Sequence, residues 1–381
     1  MAHANESAAE RALARLPLVS QRRFRCPDLE TQVRNLCDCV NSCGRQTTTG
    51  ERISRACTVW NLSALLMADC GLVDVAINLC CRQFQLFRAA APLHGGAAIA
   101  SLQPLVNLAR LTRRAGNPEG SYRELEAINH AVRGGGNALI HGELFDFNGL
   151  IAGRMSTVDT WFRQVLREDG TRALVASRQW MNAAVHAAKY DDAEDRLREA
   201  RQTRIIALAV NGQTGSALDV LDDTVTSDDW ERAVANCLRN YILLNEHSLV
   251  AGDVIDMVND VRRVCGASDR PTRLSWIRLG LVGADLAIAA EVDTGLLCTE
   301  LIEEAERSAD AFVAREVLAH PGCRKRATSK QTEALALLIS RAGFGAGHVP
   351  EALMDDLMAA VQTAEAVLTE TLGVNRPMDD A

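Results

Sequence analysis

Residues 60 to 80 carry a spacing that leaves a chain few ways to fold: Trp60, Ser63, Ala64 and Met67, then Gly71, then Ala76 and Cys80. Offsets of three and four gather the first four residues on one helical face. The bulky positions suit the gap between two antiparallel helices, and the small ones let their backbones approach. Gly71 can take the left-handed conformation that turns the corner. One such pair cannot bury its own apolar face, so it requires neighbours. Aromatic residues are only 4% of the chain, and alternating Val, Ile, Thr or Tyr runs bounded by turn residues are scarce. Little is left to build sheets from, and the fold class is predicted as all-α. At 381 residues the chain exceeds one ordinary core, so two domains or an elongated stack are expected.

The same residues resemble one tetratricopeptide (TPR) unit, whose pattern runs W-x2-L-G-x2-Y and then A-x3-F. A weaker copy follows at Leu105, Leu108, Ala109, Thr112, Gly116, Ser121 and Leu125. Tyr190 to Leu197, and Gly212 with Ala217 and Leu221, repeat the turn and second-helix half. Met181 and Ile205 stand where their first helices need a small residue. The resemblance implies a TPR-like α-solenoid of antiparallel helix pairs with unequal helices, in which ligands lie along the concave face lined by first helices.

The pattern predicts a flexible segment over 1–26, N-terminal helical repeats over 27–133, a glycine-rich break and irregular connector over 134–171, C-terminal repeats over 172–372 and a disordered tail over 373–381. Helices are expected at 53–70 with 72–88, 102–115 with 119–133, 157–167, 172–188 with 190–201, and 203–211 with 214–223. Further pairs are 228–246 with 248–264, 272–290 with 294–310, and 329–342 with 349–370. Ahead of them, Pro27-Asp28 opens a helix that Gly44 can close. Leu353, Leu357, Val361, Ala364 and Leu368 form a stripe suited to docking a second copy as a homodimer.

Carried onto this sequence, the family's concave positions are Asn61, then Gln103, Arg110, Arg113 and Arg114, then Arg178, Asn182 and His186. Asn107, Asn236, Arg239 and Asn240 lie on similar helices in looser register. Asn and Arg together suit an extended peptide, because amides pair with its backbone and guanidiniums with its carboxylates. Arg110, Arg113 and Arg114 crowd three guanidiniums into about one helical turn, which calls for an anion or an acidic neighbour. The expected partner is a peptide or protein segment, or a small anionic ligand.

Other chemistry has less support. Cys37-x-Cys39-x3-Cys43 puts only two thiols on one helical face, and Glu126-x3-His130 lacks metal-ligand spacing, so no metal and no cofactor are expected. His141-Gly-Glu143-x-Phe-Asp146 is read as a polar loop. No phosphate-binding loop, dinucleotide fingerprint or nucleophile elbow occurs, and no catalytic residue is assigned. An enzyme on a helical scaffold, using His141 or His186 on an anionic or tRNA-borne substrate, is the alternative. Residues 1–136 carry a charge of +5 and the remainder −13. That asymmetry allows nucleic-acid binding through the basic half as a second alternative, but sparse aromatics and the acidic remainder oppose it. The start lacks a secretory pattern and no stretch suits a bilayer, so a cytoplasmic location without membrane association is expected.

Overall fold

The computed structural model describes residues 7–19, 23, 25–42, 48–153, 156–190, 195–266 and 272–374. In chain order the first helices are α1 (Ala8–Arg15), α2 (Leu29–Asn41), α3 (Thr49–Asp69), α4 (Val73–Ala89), α5 (Gly95–Arg114) and α6 (Pro118–Gly134). A hairpin follows, β1 (Asn137–Ile140) with β2 (Glu143–Asp146), then α7 (Ser156–Val165), a π-turn (Leu166–Gly170), α8 (Thr171–Ala176) and α9 (Trp180–Ala188). Next come α10 (Glu199–Val210), α11 (Thr214–Asp222), α12 (Asp229–Asn245), α13 (Ala251–Gly266), α14 (Arg273–Ala289) and α15 (Gly295–Ser308). The last are α16 (Ala311–Ala319), α17 (Pro321–Arg326), α18 (Ser329–Arg341) and α19 (Glu351–Leu372). The chain is all-α apart from the hairpin, and helices adjacent in sequence pack together.

Two compact units are built from discontinuous segments. One comprises Leu29–Ser177 and the chain from Gly343 onward; the other comprises the chain up to Asp28 and Arg178–Ala342. The glycine run at 134–136 therefore lies inside a unit, where it leads from α6 into β1. Gly135 and Gly136 have φ of 73° and 90°, and Phe147 N–H closes the hairpin base onto Gly136 O at 2.8 Å.

In the first unit Trp60, Ser63, Ala64, Met67, Ala76 and Cys80 are all buried between α3, α4 and their neighbours. The helix pairs then pack α3 on α4, α4 on α5, and α5 on both α3 and α6. The stretch from His141 to Asp146, read as a polar loop, supplies the turn and second strand of an antiparallel pairing of Asn137–Ile140 with Glu143–Asp146. His141 and Gly142 both have positive φ, 49° and 81°, as a tight primed turn demands. Ala138, Ile140 and Phe145 turn inward, and the Phe145 ring meets Phe84 edge-on at 5.1 Å.

The stripe on α19 does not await a second copy. Leu357, Val361, Ala364 and Leu368 are buried, and α19 packs on α2, α3 and α4. The loop before it completes the end of α3: Gly345 N–H donates to Asp69 O and Gly347 N–H to Cys70 O, both at 2.8 Å. Those carbonyls would otherwise lack intrahelical partners.

In the second unit residues 8–15 of the opening segment form helix α1. Ser7 and Glu10 form a capping box on α1, Ala12 is fully buried, and α1 packs on α14. Arg11 and Arg15 reach Asp285 of α14 at 2.9 and 2.7 Å. Helix α14 is buried nearly all round, which explains its weak amphipathic pattern. The helix expected over 172–188 is broken, with Arg178 left-handed at φ 58° between α8 and α9. Nor do Asp195 to Arg198 belong to a helix: Arg196 bridges to Val225, and α10 begins at Glu199. Asp191, Asp192 and Ala193 of that half-repeat lie outside the described residues, as do Cys43, Gly44 and the tail beyond Val374.

One turn recurs six times among the described residues, the last where Val374 N–H donates to Thr369 O at 3.0 Å around left-handed Gly373. Leu72 N–H donates to Met67 O at 2.8 Å, Asn117 to Thr112 at 3.2 Å and Gln213 to Leu208 at 2.9 Å, around left-handed Gly71, Gly116 and Gly212. Ser248 donates to Leu243 at 3.1 Å and Val292 to Ala287 at 2.9 Å in the same manner, but there the left-handed residues are His247 and Glu291. The later pairs thus keep the turn and lose its glycine. A side chain in that conformation costs roughly 1–2 kcal/mol, part of which glycine returns as chain entropy in the unfolded state. His247→Gly and Glu291→Gly are each expected to stabilise the protein by about 0.5–1 kcal/mol, read as a higher denaturation midpoint at unchanged slope.

Candidate functional site

Helices α3 and α5 of the first unit bring most of the expected polar residues into one row. On α5, Gln103, Asn107, Arg110 and Arg114 are spaced by four, three and four, so they share a face. Asn61 of α3 lies between the first two. Its Nδ2 donates to Gln103 Oε1 at 2.8 Å, and its Oδ1 accepts from Asn107 Nδ2 at 3.1 Å. Asn107 Oδ1 in turn accepts from Arg110 Nη1 at 3.1 Å.

Arg110 sets the direction of this row. A guanidinium only donates, so Asn107 must show it an oxygen and turn its nitrogen to Asn61. Asn61 must then offer its nitrogen to Gln103 Oε1. Gln103 Nε2 is the donor left at the far end, with no acceptor among the described residues.

That end lines a cavity of about 570 Å³ between α3, the start of α5 and the end of α19. Ile53 and Thr58, Leu93 and His94, Ile99 and Leu372 are among its walls. The segment before α5 is held there by Leu93, whose N–H donates to Leu150 O at 2.8 Å and whose carbonyl accepts from Ala152 at 2.9 Å. The cavity therefore joins an apolar floor to a fixed amide donor and an exposed imidazole.

At the other end the acidic neighbour called for by the arginines is present. The π-turn after α7 carries Asp169, whose side chain is only 3% exposed. Arg110 Nε and Nη2 clamp its two oxygens at 3.1 and 2.7 Å. Arg113 Nη1 reaches its backbone carbonyl at 3.4 Å and its Oδ1 at 3.6 Å. Burial pushes the Asp169 carboxyl up, but the Arg110 hydrogen bonds and the charges of Arg110, Arg113 and Arg172 prevail and hold it below the ordinary carboxylate range. Burial likewise lowers the Arg113 guanidinium. Arg114 pairs separately with Asp69 at the end of α3. The three guanidiniums thus face two carboxylates, Asp169 shared by Arg110 and Arg113 and Asp69 paired with Arg114.

The remaining candidates belong to the second unit. Arg178 is exposed in its left-handed turn, Asn182 donates to Gln179 Oε1 at 2.9 Å, and His186 is buried with its ring 5.0 Å from that of Tyr190. On α12, Asn236 donates to Asp260 Oδ2 at 2.7 Å and Arg239 pairs with Asp222. Asn240 donates to Asn236 O at 2.9 Å, leaving its Oδ1 buried without a hydrogen bond. These residues serve local contacts and do not form a row like that on α3 and α5.

His141 stands in the hairpin turn with Nδ1 3.0 Å from Thr112 Oγ1. Glu124 accepts the His141 backbone N–H at 2.8 Å rather than meeting the ring. Asp146 is held by Arg88 at 2.6 Å beside a groove of about 780 Å³ between α4 and the hairpin. Sequence alone could not find Asp169, which is 59 residues from Arg110 and sits in a turn without a motif. Cys298, His320 and Cys323 of the second unit were also missed; only the His-x2-Cys spacing hinted at them.

No known protein family matches the chain, and neither a curated protein nor a solved structure is significantly similar to it. Among the described residues, no helix is long and apolar enough to cross a membrane.

Proposed function

We propose that this chain is a cytoplasmic ligand-sensing or protein-interaction module of TPR-like solenoid character that binds an extended peptide or protein segment on the first helices α3 and α5. The observation that carries this reading is the polarised row Arg110–Asn107–Asn61–Gln103, which ends as a fixed donor on the cavity at α3 and α5. A peptide carbonyl is a suitable acceptor for Gln103 Nε2, and an apolar side chain suits the floor beside Ile53 and Leu93. The paired state of Arg110, Arg113 and Arg114 favours such a ligand over a free anion, since an anion would have to displace Asp169 or Asp69.

Selection of a random peptide library on the full chain tests the reading. Peptides enriched on the wild type should lose about tenfold or more in affinity on Gln103→Leu, which leaves a bound carbonyl unpaired. They should be indifferent to Asn236→Ala in the second unit. Failure to enrich any peptide, or equal binding by Gln103→Leu, overturns it.

A further inference from the structure

The second unit holds a cluster with no part in peptide binding. Cys298 lies in the first turns of α15. His320 is the N-cap of α17, and Cys323 is the third residue of that helix. The two sulfurs and one imidazole nitrogen of His320 all lie within 4.8 Å of one another. Cys298 is 1% exposed and the other two are 0% exposed, so the cluster is sealed from bulk water.

His320 is also the least settled polar group nearby. Its Nδ1 accepts Cys323 N–H at 3.2 Å, which makes Nδ1 the lone-pair nitrogen and leaves the ring proton on Nε2. Nε2 sits 3.2 Å from Asp285 Oδ1, yet the approach is off the line of a hydrogen bond, and Nε2 is buried without one. A carboxylate 3.2 Å from one nitrogen of an imidazole that also has a nitrogen within 4.8 Å of two thiols is close to the outer arrangement that orients histidines toward metals. Asp285 is itself fully buried and held by Arg11 and Arg15.

We propose that Cys298, His320 and Cys323 bind one Zn²⁺ ion, with Asp285 orienting the imidazole and a water completing the tetrahedron. Thiolate and imidazole together favour zinc over the hard divalent cations. Charge balance favours it as well. Each thiol releases its proton as its sulfur bonds the metal, so two protons leave as one divalent cation enters, and the net charge of the sealed site is unchanged. No electron is transferred. The ion would tie the first turns of α15 to the corner between α16 and α17, taking the Nδ1 lone pair that now accepts Cys323 N–H, while Arg324 N–H stays on His320 O at 2.9 Å.

Reduced, metal-free full-length protein is titrated with Zn²⁺ against a chromophoric chelator, and with Co²⁺. One equivalent of Zn²⁺ should bind, with release of about two protons in weak buffer. Co²⁺ should give the intense visible bands of a four-coordinate thiolate site. Cys298→Ser and Cys323→Ser should each weaken binding at least about a hundredfold, more than loss of an outer partner does, while Cys37→Ser/Cys39→Ser leaves it intact. Circular dichroism in chelator establishes whether the serine variants keep the apo fold. X-ray absorption of the wild-type zinc form gives a test independent of any variant: two sulfurs at about 2.3 Å and lighter ligands at about 2.0–2.1 Å. No uptake by the reduced wild type, uptake unaffected by the Cys298 and Cys323 variants, or a coordination shell without two sulfurs overturns the proposal. A Cys298–Cys323 disulfide forming in air, with no zinc uptake after reduction, overturns it equally.

Discussion

Asp285→Ala is expected to destabilise the second unit by about 3–5 kcal/mol, because it leaves two guanidiniums without their shared carboxylate in a water-poor setting. Arg11 and Arg15 are 18% and 15% exposed, and Asp285 is 0% exposed. The loss should be local at first. Helix α1 is an eight-residue helix that could not persist alone, so its docking on α14 depends on these pairs and on Ala12, Leu16 and Leu18. Hydrogen exchange should therefore show residues 8–15 losing protection before α14 does. Replacing the whole triad at once, Arg11→Met, Arg15→Met and Asp285→Leu, should recover most of the stability, since well-packed apolar groups often substitute for a buried ion pair at little cost. If Asp285→Ala leaves the denaturation midpoint unchanged, the triad contributes nothing.

Asp169→Ala should have the second largest effect, about 2–3 kcal/mol in the first unit. The figure is below that for Asp285 because Arg110 is 39% exposed and water shields part of the stranded charge. The consequence should travel along the amide row. Without its clamp Arg110 no longer fixes Asn107, and the donor at Gln103 loses its orientation; peptide affinity should fall even though Asp169 does not line the cavity. Asp169 also gives the protein an acid-side pH dependence. Its folded pKa is depressed, so its contribution is fully present above the unfolded value of about 3.9 and is lost as pH falls through the lower folded value. Wild type should lose stability below about pH 4 more steeply than Asp169→Asn does, measured as midpoints across an acid series.

How far residues announce their own structure depends on whether their partners are close in sequence. Helices α3 to α6 and α10 to α15 follow from periodicity and turn residues a few positions apart. The α12–α13 and α14–α15 corners hide their kinship only because His247 and Glu291 replace glycine. The hairpin escapes because His141-Gly142 is not a strong primed-turn pair and the strands have four residues each. The helix expected over 190–201 does not include Asp195 to Arg198, because Arg196 bridges to Val225. Of the candidate site, the row Asn61, Gln103, Asn107 and Arg110 was legible from helical register. Its anchor was not, since nothing local marks Asp169 as the group that Arg110 and Arg113 face. The stripe on α19 was legible as apolar, but not as covered by α2 and α3 from the opposite end of the chain.

The placement of α19 bears on how this protein is made. A ribosome releases Leu29 to Ser177 first, then the whole stretch to Ala342, and only afterwards the glycine loop and α19 that cover α2 and α3. At ordinary elongation speeds the intervening stretch takes about 10–30 s to emerge. Throughout that interval the apolar flank of α2 and α3 has no cover, and the carbonyls of Asp69 and Cys70 lack their donors. The early half must wait for the late one, so nascent chains stalled before Gly343 should be the species that chaperones hold longest.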